Sequence, residues 1–330
     1  MVSRAAEGIR TLYRTITNRL LYELSYRSET SVSYNPLHVV RMAIPQANEM
    51  IRPLLQLYRL DVAVISLGAY VAGLVFSGGV GLADLPVGLA ISLISFNYIY
   101  SLNSIEDRHI DLVNKPQRPI PAGKLSLEIA RRYVTLLLVL SVAYPLAVKS
   151  DLINLALFLL LPLLGWAYSM PPLHFKSKPV AAVLSIALMY TTPVAIAITS
   201  RHDALRWAHA ALLGYIFLFC LSIAPLKDIE DVEGDHLHGS KNLLALVGLR
   251  RLLGLSLTGL IAAIALVILA DLGLPITVVL VALSGATGLL IAAFVLLGLP
   301  RRHIYRSILI LVAILGLLFS LNALVFGGSL

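Results

Sequence analysis

Cysteine is almost absent. Cys220 is the single thiol in 330 residues, so neither a disulfide framework nor a thiolate metal site can be built. It lies inside an apolar run and reads as filler. Charge is scarce as well: Asp, Glu, Lys and Arg make up 13% of the chain against 58% hydrophobic residues. The mean hydropathy of +0.85 lies far above that of a soluble domain. The chain contains no G-x-x-x-x-G-K-[ST] loop, no H-E-x-x-H and no G-x-S-x-G, which removes the usual nucleotide, zinc-protease and hydrolase signals. No apolar core of signal-peptide length follows the first charges, so residues 1–60 do not read as a secretory leader.

Long apolar runs are what the chain has instead. Nine segments are long enough to span a bilayer, at roughly 61–78, 86–104, 130–148, 151–168, 179–199, 207–226, 252–270, 274–298 and 304–326. The expected fold is an all-α membrane protein with nine transmembrane helices. Short connectors at 149–150 and 271–273 imply antiparallel neighbours. With nine spans, 23 of the 26 Lys and Arg residues fall on one side and only Lys149, Arg201 and Arg206 on the other. The positive-inside rule then puts the N-terminus in the cytoplasm of a multi-pass cell-membrane protein, with the C-terminus opposite. The net charge of +8 follows from that bias and from contact with anionic membrane lipids, so nucleic acid is not needed to explain it. Nothing points to an obligate protein partner.

The scarce acids are not scattered. Eight of the 18 Asp and Glu residues fall within 103–111 and 228–235, which together are 17 of 330 positions. Asn103, Asp107 and Asp111 recur every four residues and form one polar stripe on a helix. Asp228, Asp231 and Asp235 lie at i, i+3 and i+7. Each group directly follows an apolar run, so each sits at the mouth of a membrane helix on the cytoplasmic side. Carboxylates there are costly unless a cation sits among them. An all-oxygen set of this kind suits Mg²⁺ carrying a substrate phosphate.

Basic residues stand beside the acids. Pro116 and Pro119 stiffen a loop that holds Lys115 and Arg118 close to the first stripe, and a guanidinium fork matches phosphate oxygens. Tyr168 ends the fourth span, and Lys176 follows in a short loop after Pro171-Pro172. Arg59 opens the first span, either as a lipid-facing anchor or as a phosphate contact. Phe96, Tyr98 and Tyr100 form either an interfacial belt or the lining of a tunnel, which helix rotation decides. Near the N-terminus, Ile9, Leu12, Tyr13, Ile16, Leu20 and Leu24 alternate with arginines at helical spacing. Residues 1–55 therefore read as a basic, amphipathic interfacial extension before a membrane domain at 56–330. A secondary transporter would be expected to carry its carboxylates near the bilayer midplane rather than at helix ends.

The joint pattern N-x-x-x-D-x-x-x-D, N-x-P-x-R-P-I-P-x-G, Y-S-x-P-P and K-D-I-E-D-V-E-G-D over nine spans resembles the UbiA superfamily of intramembrane prenyltransferases, across roughly residues 55–326. The resemblance implies a helical bundle around a central cavity. It also implies a cytoplasmic cap from the loops after spans 2 and 6, placed over two Mg²⁺ ions. Carried onto this chain, Asn103, Asp107, Asp111, Asp228, Asp231 and Asp235 would be metal ligands. Asp107, Asp111, Asp231, Asp235 and Tyr168 would be catalytic, and Arg59, Arg118, Lys176 and Lys227 would contact the diphosphate. The implied reaction is Mg²⁺-dependent transfer of a polyprenyl group from its diphosphate. Within the superfamily the motifs are most similar to the geranylgeranylglyceryl phosphate geranylgeranyltransferases of ether-lipid synthesis; an aromatic acceptor, 4-hydroxybenzoate-like, is the alternative. Ser104, Asn242 and Ala63 depart from the usual family residues.

Overall fold

The computed structural model describes residues 52–148, 151–201, 206–230, 242–300 and 303–325, with side chains omitted at Pro275 and from residue 319 onward. The basic amphipathic extension lies outside the described residues, as do Asp231 and Asp235. All described residues belong to the unit that begins at Arg52.

Each apolar run forms a helix. The elements are α1 (Leu60–Phe76), α2 (Leu82–Glu106), α3 (Arg108–Asn114), α4 (Leu127–Ala147), α5 (Leu152–Ser169) and α6 (Pro179–Thr199). They continue with α7 (Trp207–Ile223), α8 (Leu243–Val247), α9 (Leu249–Ala270), α10 (Leu274–Leu296) and α11 (Ile304–Val325). No strand occurs among the described residues. Local chemistry sets several of the starts. Ser126 caps α4 by accepting the Ile129 N–H, and Asp151 caps α5 by accepting from Ile153 and Asn154. Pro179 opens α6 where its missing N–H costs nothing. Gly248, at φ 76°, turns the chain from α8 into α9.

Among the described residues, seven helices are long and apolar enough to cross a membrane: α2, α4 to α7, α9 and α10. The first expected span is a shorter apolar helix, and the last is the 22-residue α11. Helix α1 has 17 residues, about 26 Å of rise against a hydrocarbon core of roughly 30 Å. Helix α11 contributes an apolar stretch of Ile304–Leu318.

The helices pack in two groups that share α6. One apolar cluster draws on α1, α2, α4, α5 and α6, with Tyr70, Ile91, Phe96 and Leu161 at its centre. The other draws on α6, α7, α9, α10 and α11 around Leu212, Tyr215 and Leu260. Small residues permit the close crossings that lipid-embedded helices depend on. A Cβ on Gly73 of α1 would lie 2.7 Å from the Ala197 methyl and 2.9 Å from the Val194 carbonyl on α6. On the other side of α1, Gly68 faces Gly316 of α11. Gly165 of α5 takes Ile99 of α2, and Gly259 of α9 takes Ser222 of α7.

Several hydroxyls find partners inside their own helices, which suits an apolar solvent. Thr191 and Thr192 bond the carbonyls of Ala187 and Leu188, and Ser222 bonds that of Leu218. At the end of the bundle away from the acidic stripe, Arg201 ties α6 to the α1–α2 turn through Asp84 at 2.7 Å and the Gly79 carbonyl at 2.6 Å.

The α1–α6 crossing gives a test. Gly73→Val forces side-chain atoms into the α6 backbone and is expected to cost about 2 kcal/mol, read as a lowered Tm in detergent. Gly285→Ala, where a Cβ meets nothing within 4 Å, is expected to leave Tm unchanged or raise it.

Candidate functional site

The acidic stripe survives folding but bends. Asp107 donates its N–H to the Asn103 carbonyl and Asp111 donates to the Asp107 carbonyl, both at 2.8 Å, so the four-residue spacing is kept. Helix α2 nevertheless ends at Glu106, and Asp107, at φ −82° and ψ 3°, is the hinge into α3. Asn103 and Asp107 therefore stand on the end of α2 and Asp111 on α3. The Asn103 Nδ2 donates to Asp107 Oδ2 at 2.7 Å.

Cations from elsewhere in the chain close on these carboxylates. Lys176 comes from the turn Phe175–Ser177 between α5 and α6, and its Nζ meets Asp107 Oδ1 at 2.6 Å. Arg118 reaches back from the proline-rich loop and places Nη1 on Asp111 Oδ2 at 2.5 Å. Asp111 is only 3% exposed. Burial pushes its carboxyl above the ordinary aspartate value, with the Arg118 charge acting in the opposite direction.

A second set of contacts involves the tyrosines. Lys227 donates to the Tyr168 hydroxyl at 2.6 Å. Tyr168 is near enough to both acid-bearing helix ends to feel Asp107 and Asp228 electrostatically. Arg59 is held by a two-point contact with Asp61, at 2.9 and 2.6 Å, and stacks over Tyr100 at 5.5 Å. The hydroxyls of Tyr100 and Tyr190 share a hydrogen bond of 2.9 Å, and Phe96 packs 5.1 Å from the Tyr190 ring. Phe96 and Tyr98 are buried, and Tyr100 points at Tyr190 and Arg59. Helix rotation thus turns this aromatic run into the bundle, not out to an interfacial belt. Ser104, Arg59 and Arg118 line a small recess closed by Leu57 and residues 119–121.

The second motif is described only in part. Of the i, i+3, i+7 set only Asp228 lies among the described residues, and residues 224–229 form a 3-10 helix. Pro225, which has no N–H to give, stands in its first turn. Asp228 is buried and accepts the Leu243 N–H at 3.0 Å, which pins the start of α8. Glu230 accepts the Arg306 N–H at 2.9 Å and so ties this end of α7 to α11. Asn242 caps α8 by accepting from Ala245.

Sequence reasoning passed over Asp61, which fixes Arg59, and Tyr190, which sits in the middle of α6. Met189-Tyr190-Thr191-Thr192-Pro193 was the available signal, a polar break inside an apolar span.

The stripe suits a hard cation. The Asn103 Oδ1 is buried and has no hydrogen-bond partner, an acceptor that a divalent ion would satisfy. The neighbouring donors are carboxylate oxygens, the type that Mg²⁺ takes. Among the described residues no three His, Cys, Asp or Glu side chains converge.

Comparison with known proteins adds the lineage. Residues 62–314 match the UbiA prenyltransferase family. A probable homogentisate phytyltransferase 2 of Oryza sativa subsp. japonica chloroplasts is 34% identical over 198 residues, which are 55% of this chain and 51% of that protein. The digeranylgeranylglyceryl phosphate synthase of Pyrococcus abyssi is 34% identical over 157 residues, 46% of this chain and 52% of that protein. The chain thus spans about half the length of these curated relatives. A UbiA homolog from Archaeoglobus fulgidus, solved bound to DMAPP and Mg²⁺, superposes with a TM-score of 0.68 at 21% identity. That match covers 84% of this chain and 99% of the other, and shows the shared fold.

The Arg118–Asp111 contact can be tested by a two-step substitution. Arg118→Leu leaves a buried carboxylate without its counter-charge and is expected to cost about 3 kcal/mol, read as a drop in Tm. Adding Asp111→Asn is expected to restore much of that loss, and a double variant no better than the single one would contradict the assignment.

Proposed function

Because the chain belongs to the UbiA prenyltransferase family, we propose that it is a membrane-embedded enzyme that transfers a polyprenyl group from its diphosphate to a lipid acceptor. The observation that carries this reading is the convergence at one end of the bundle. Lys176 joins the α5–α6 turn to Asp107 on α2, and Lys227 joins the second motif to Tyr168 on α5. Both contacts support a reading in which the two acid-bearing helix ends, far apart in the chain, border one site.

The proposal extends to the arrangement in the membrane. Helices α1 and α11 complete nine spans around an apolar interior that receives the donor chain. The site end faces the cytoplasm, where the lysine and arginine bias puts it. Asn103, Asp107 and Asp111, together with Asp228, Asp231 and Asp235 of the second motif, would hold two Mg²⁺ ions. When bound, these ions supply positive charge to the departing diphosphate.

The chain's own side chains account for the rest. Lys176, Arg118, Arg59 and Lys227 bring fixed cationic charge to the phosphate oxygens, where negative charge grows as the donor's C1–O bond breaks. The electron pair of that bond leaves with the diphosphate. Tyr100, Tyr168 and Tyr190 offer ring faces to the allylic cation that remains, and the Tyr100 ring already accepts a cation in the Arg59 contact. Helix packing keeps water from that carbon. The acceptor hydroxyl then bonds C1 and gives its proton to a carboxylate or to the released diphosphate. The motif pattern favours geranylgeranyl diphosphate as donor and geranylgeranylglyceryl phosphate as acceptor, in ether-lipid synthesis. The similarity to the Oryza sativa protein supports a second reading, an aromatic acceptor.

Both parts are open to experiment. In vesicles with Mg²⁺ and geranylgeranyl diphosphate, Asp107→Asn and Asp111→Asn are each expected to lower turnover by roughly 100-fold or more; wild-type turnover in both would end the metal-ligand assignment. Offered geranylgeranylglyceryl phosphate and 4-hydroxybenzoate in competition, the protein is expected to prenylate the phospholipid precursor. Product on the aromatic alone would move it to the second reading.

A further inference from the structure

The charges at the end of α2 are arranged in a way the transfer reaction by itself does not require. Asp107 has both oxygens engaged, Oδ1 by Lys176 at 2.6 Å and Oδ2 by Asn103 at 2.7 Å. Asp111 Oδ2 is engaged by Arg118 at 2.5 Å. The two carboxylates that would receive a divalent cation are thus held by the two cations that would receive a diphosphate. We infer that Lys176 and Arg118 are exchangeable counter-ions, so that the site accepts a divalent cation and a diphosphate together and disfavours either alone. The inference rests on the metal-ligand reading given above for Asn103, Asp107 and Asp111.

Charge and burial supply the reason. The four side chains cancel: two carboxylates against one ammonium and one guanidinium. A divalent cation entering alone must displace Lys176 and Arg118, whose side chains are only 14% and 22% exposed, and would leave two cations with no partner in a confined space. A diphosphate entering alone must draw the same cations away and would strand Asp107 and the buried Asp111. Entering together, the two ligands allow a straight exchange. The carboxylates turn to the metal, Lys176 and Arg118 turn to phosphate oxygens, and each of the four side chains keeps an opposite charge beside it. The partnerless Asn103 Oδ1 adds a metal-facing acceptor that needs no displacement. Reciprocity follows from linkage: whatever factor the diphosphate adds to metal affinity, the metal adds to diphosphate affinity.

This exchange makes a prediction opposite in sign to that of a merely structural ion pair. Removing Lys176 releases Asp107, so the Lys176→Met protein, full-length in detergent, is expected to bind Mn²⁺ alone about tenfold more tightly than wild type. Removing the Asp107 charge releases Lys176, so Asp107→Asn in EDTA is expected to bind metal-free inorganic pyrophosphate about tenfold more tightly. Calorimetry reads both affinities, and electron paramagnetic resonance of Mn²⁺ reads the first independently. Lys176→Gln replaces Lys176→Met if thermal unfolding shows the latter misfolded. Both gains are required; equal or weaker binding in either variant overturns the exchange. Mn²⁺ that binds neither wild type nor the Lys176 variant, even with pyrophosphate present, would instead remove the metal site and the reading beneath it. Mn²⁺ that binds wild type with pyrophosphate, but binds the variant no more tightly when alone, would overturn the exchange only.

Discussion

Unpaired carboxylates cannot be kept at the mouth of a membrane helix, and that constraint organises the end of the bundle where the motifs lie. Asp111 is almost wholly buried and Asp107 is mostly so. Each would carry a desolvation penalty of several kcal/mol if left alone. Arg118, seven residues on, answers one, and Lys176, 69 residues on, answers the other. The first contact requires a loop that doubles back at once, which Pro116, Pro119 and Pro121 help to stiffen. The second requires the connector between α5 and α6 to lie across the end of α2. The pairing of charges therefore sets how three helices finish.

Close packing away from that end makes the arrangement rigid. Helix α1 is pressed between α6 and α11 at Gly73 and Gly68, and α2 is pressed against α5 at Gly165. Glycine has no side chain to hold these backbones apart, so dispersion contacts act at short range where no hydrophobic force distinguishes protein from lipid tail. Helices fixed in this way carry their terminal side chains with little play. Arg59 gains a further restraint from Asp61 on its own helix, and its position over Tyr100 is the result.

The tyrosines connect this scaffold to chemistry. Arg59 over Tyr100 shows a ring turned so that its electron-rich face meets positive charge, and Lys227 meets the Tyr168 hydroxyl. Tyr190, deeper in α6, is bonded to Tyr100 and packed against Phe96. A carbon that becomes cationic close to fixed anionic leaving-group contacts gains from such faces, and it gains again if helix packing excludes water. Cys220, by contrast, is buried in α7 and carries no role in this chemistry.

Much of this was legible in the residues themselves. Hydropathy located the long apolar helices among the described residues, and the spacing of Asn103, Asp107 and Asp111 placed them on one stripe, because 3.6-residue periodicity and the cost of charge in lipid are local properties. The clustering of acids marked both motifs for the same reason. Helix rotation, the short rise of α1 and the bend at Asp107 were not legible, since neighbouring helices set them. The 3-10 turn that carries Lys227 and Asp228 was not legible either. Which cation meets which carboxylate, and that Tyr190 belongs with Tyr100, depends on contacts across 69 and 90 residues. The chain's own pattern thus determined which groups stand at helix ends, whereas only the tertiary packing of α2, α5, α6 and α7 decided which of them touch, because contact between distant segments is a property of the assembled bundle and not of any window along it.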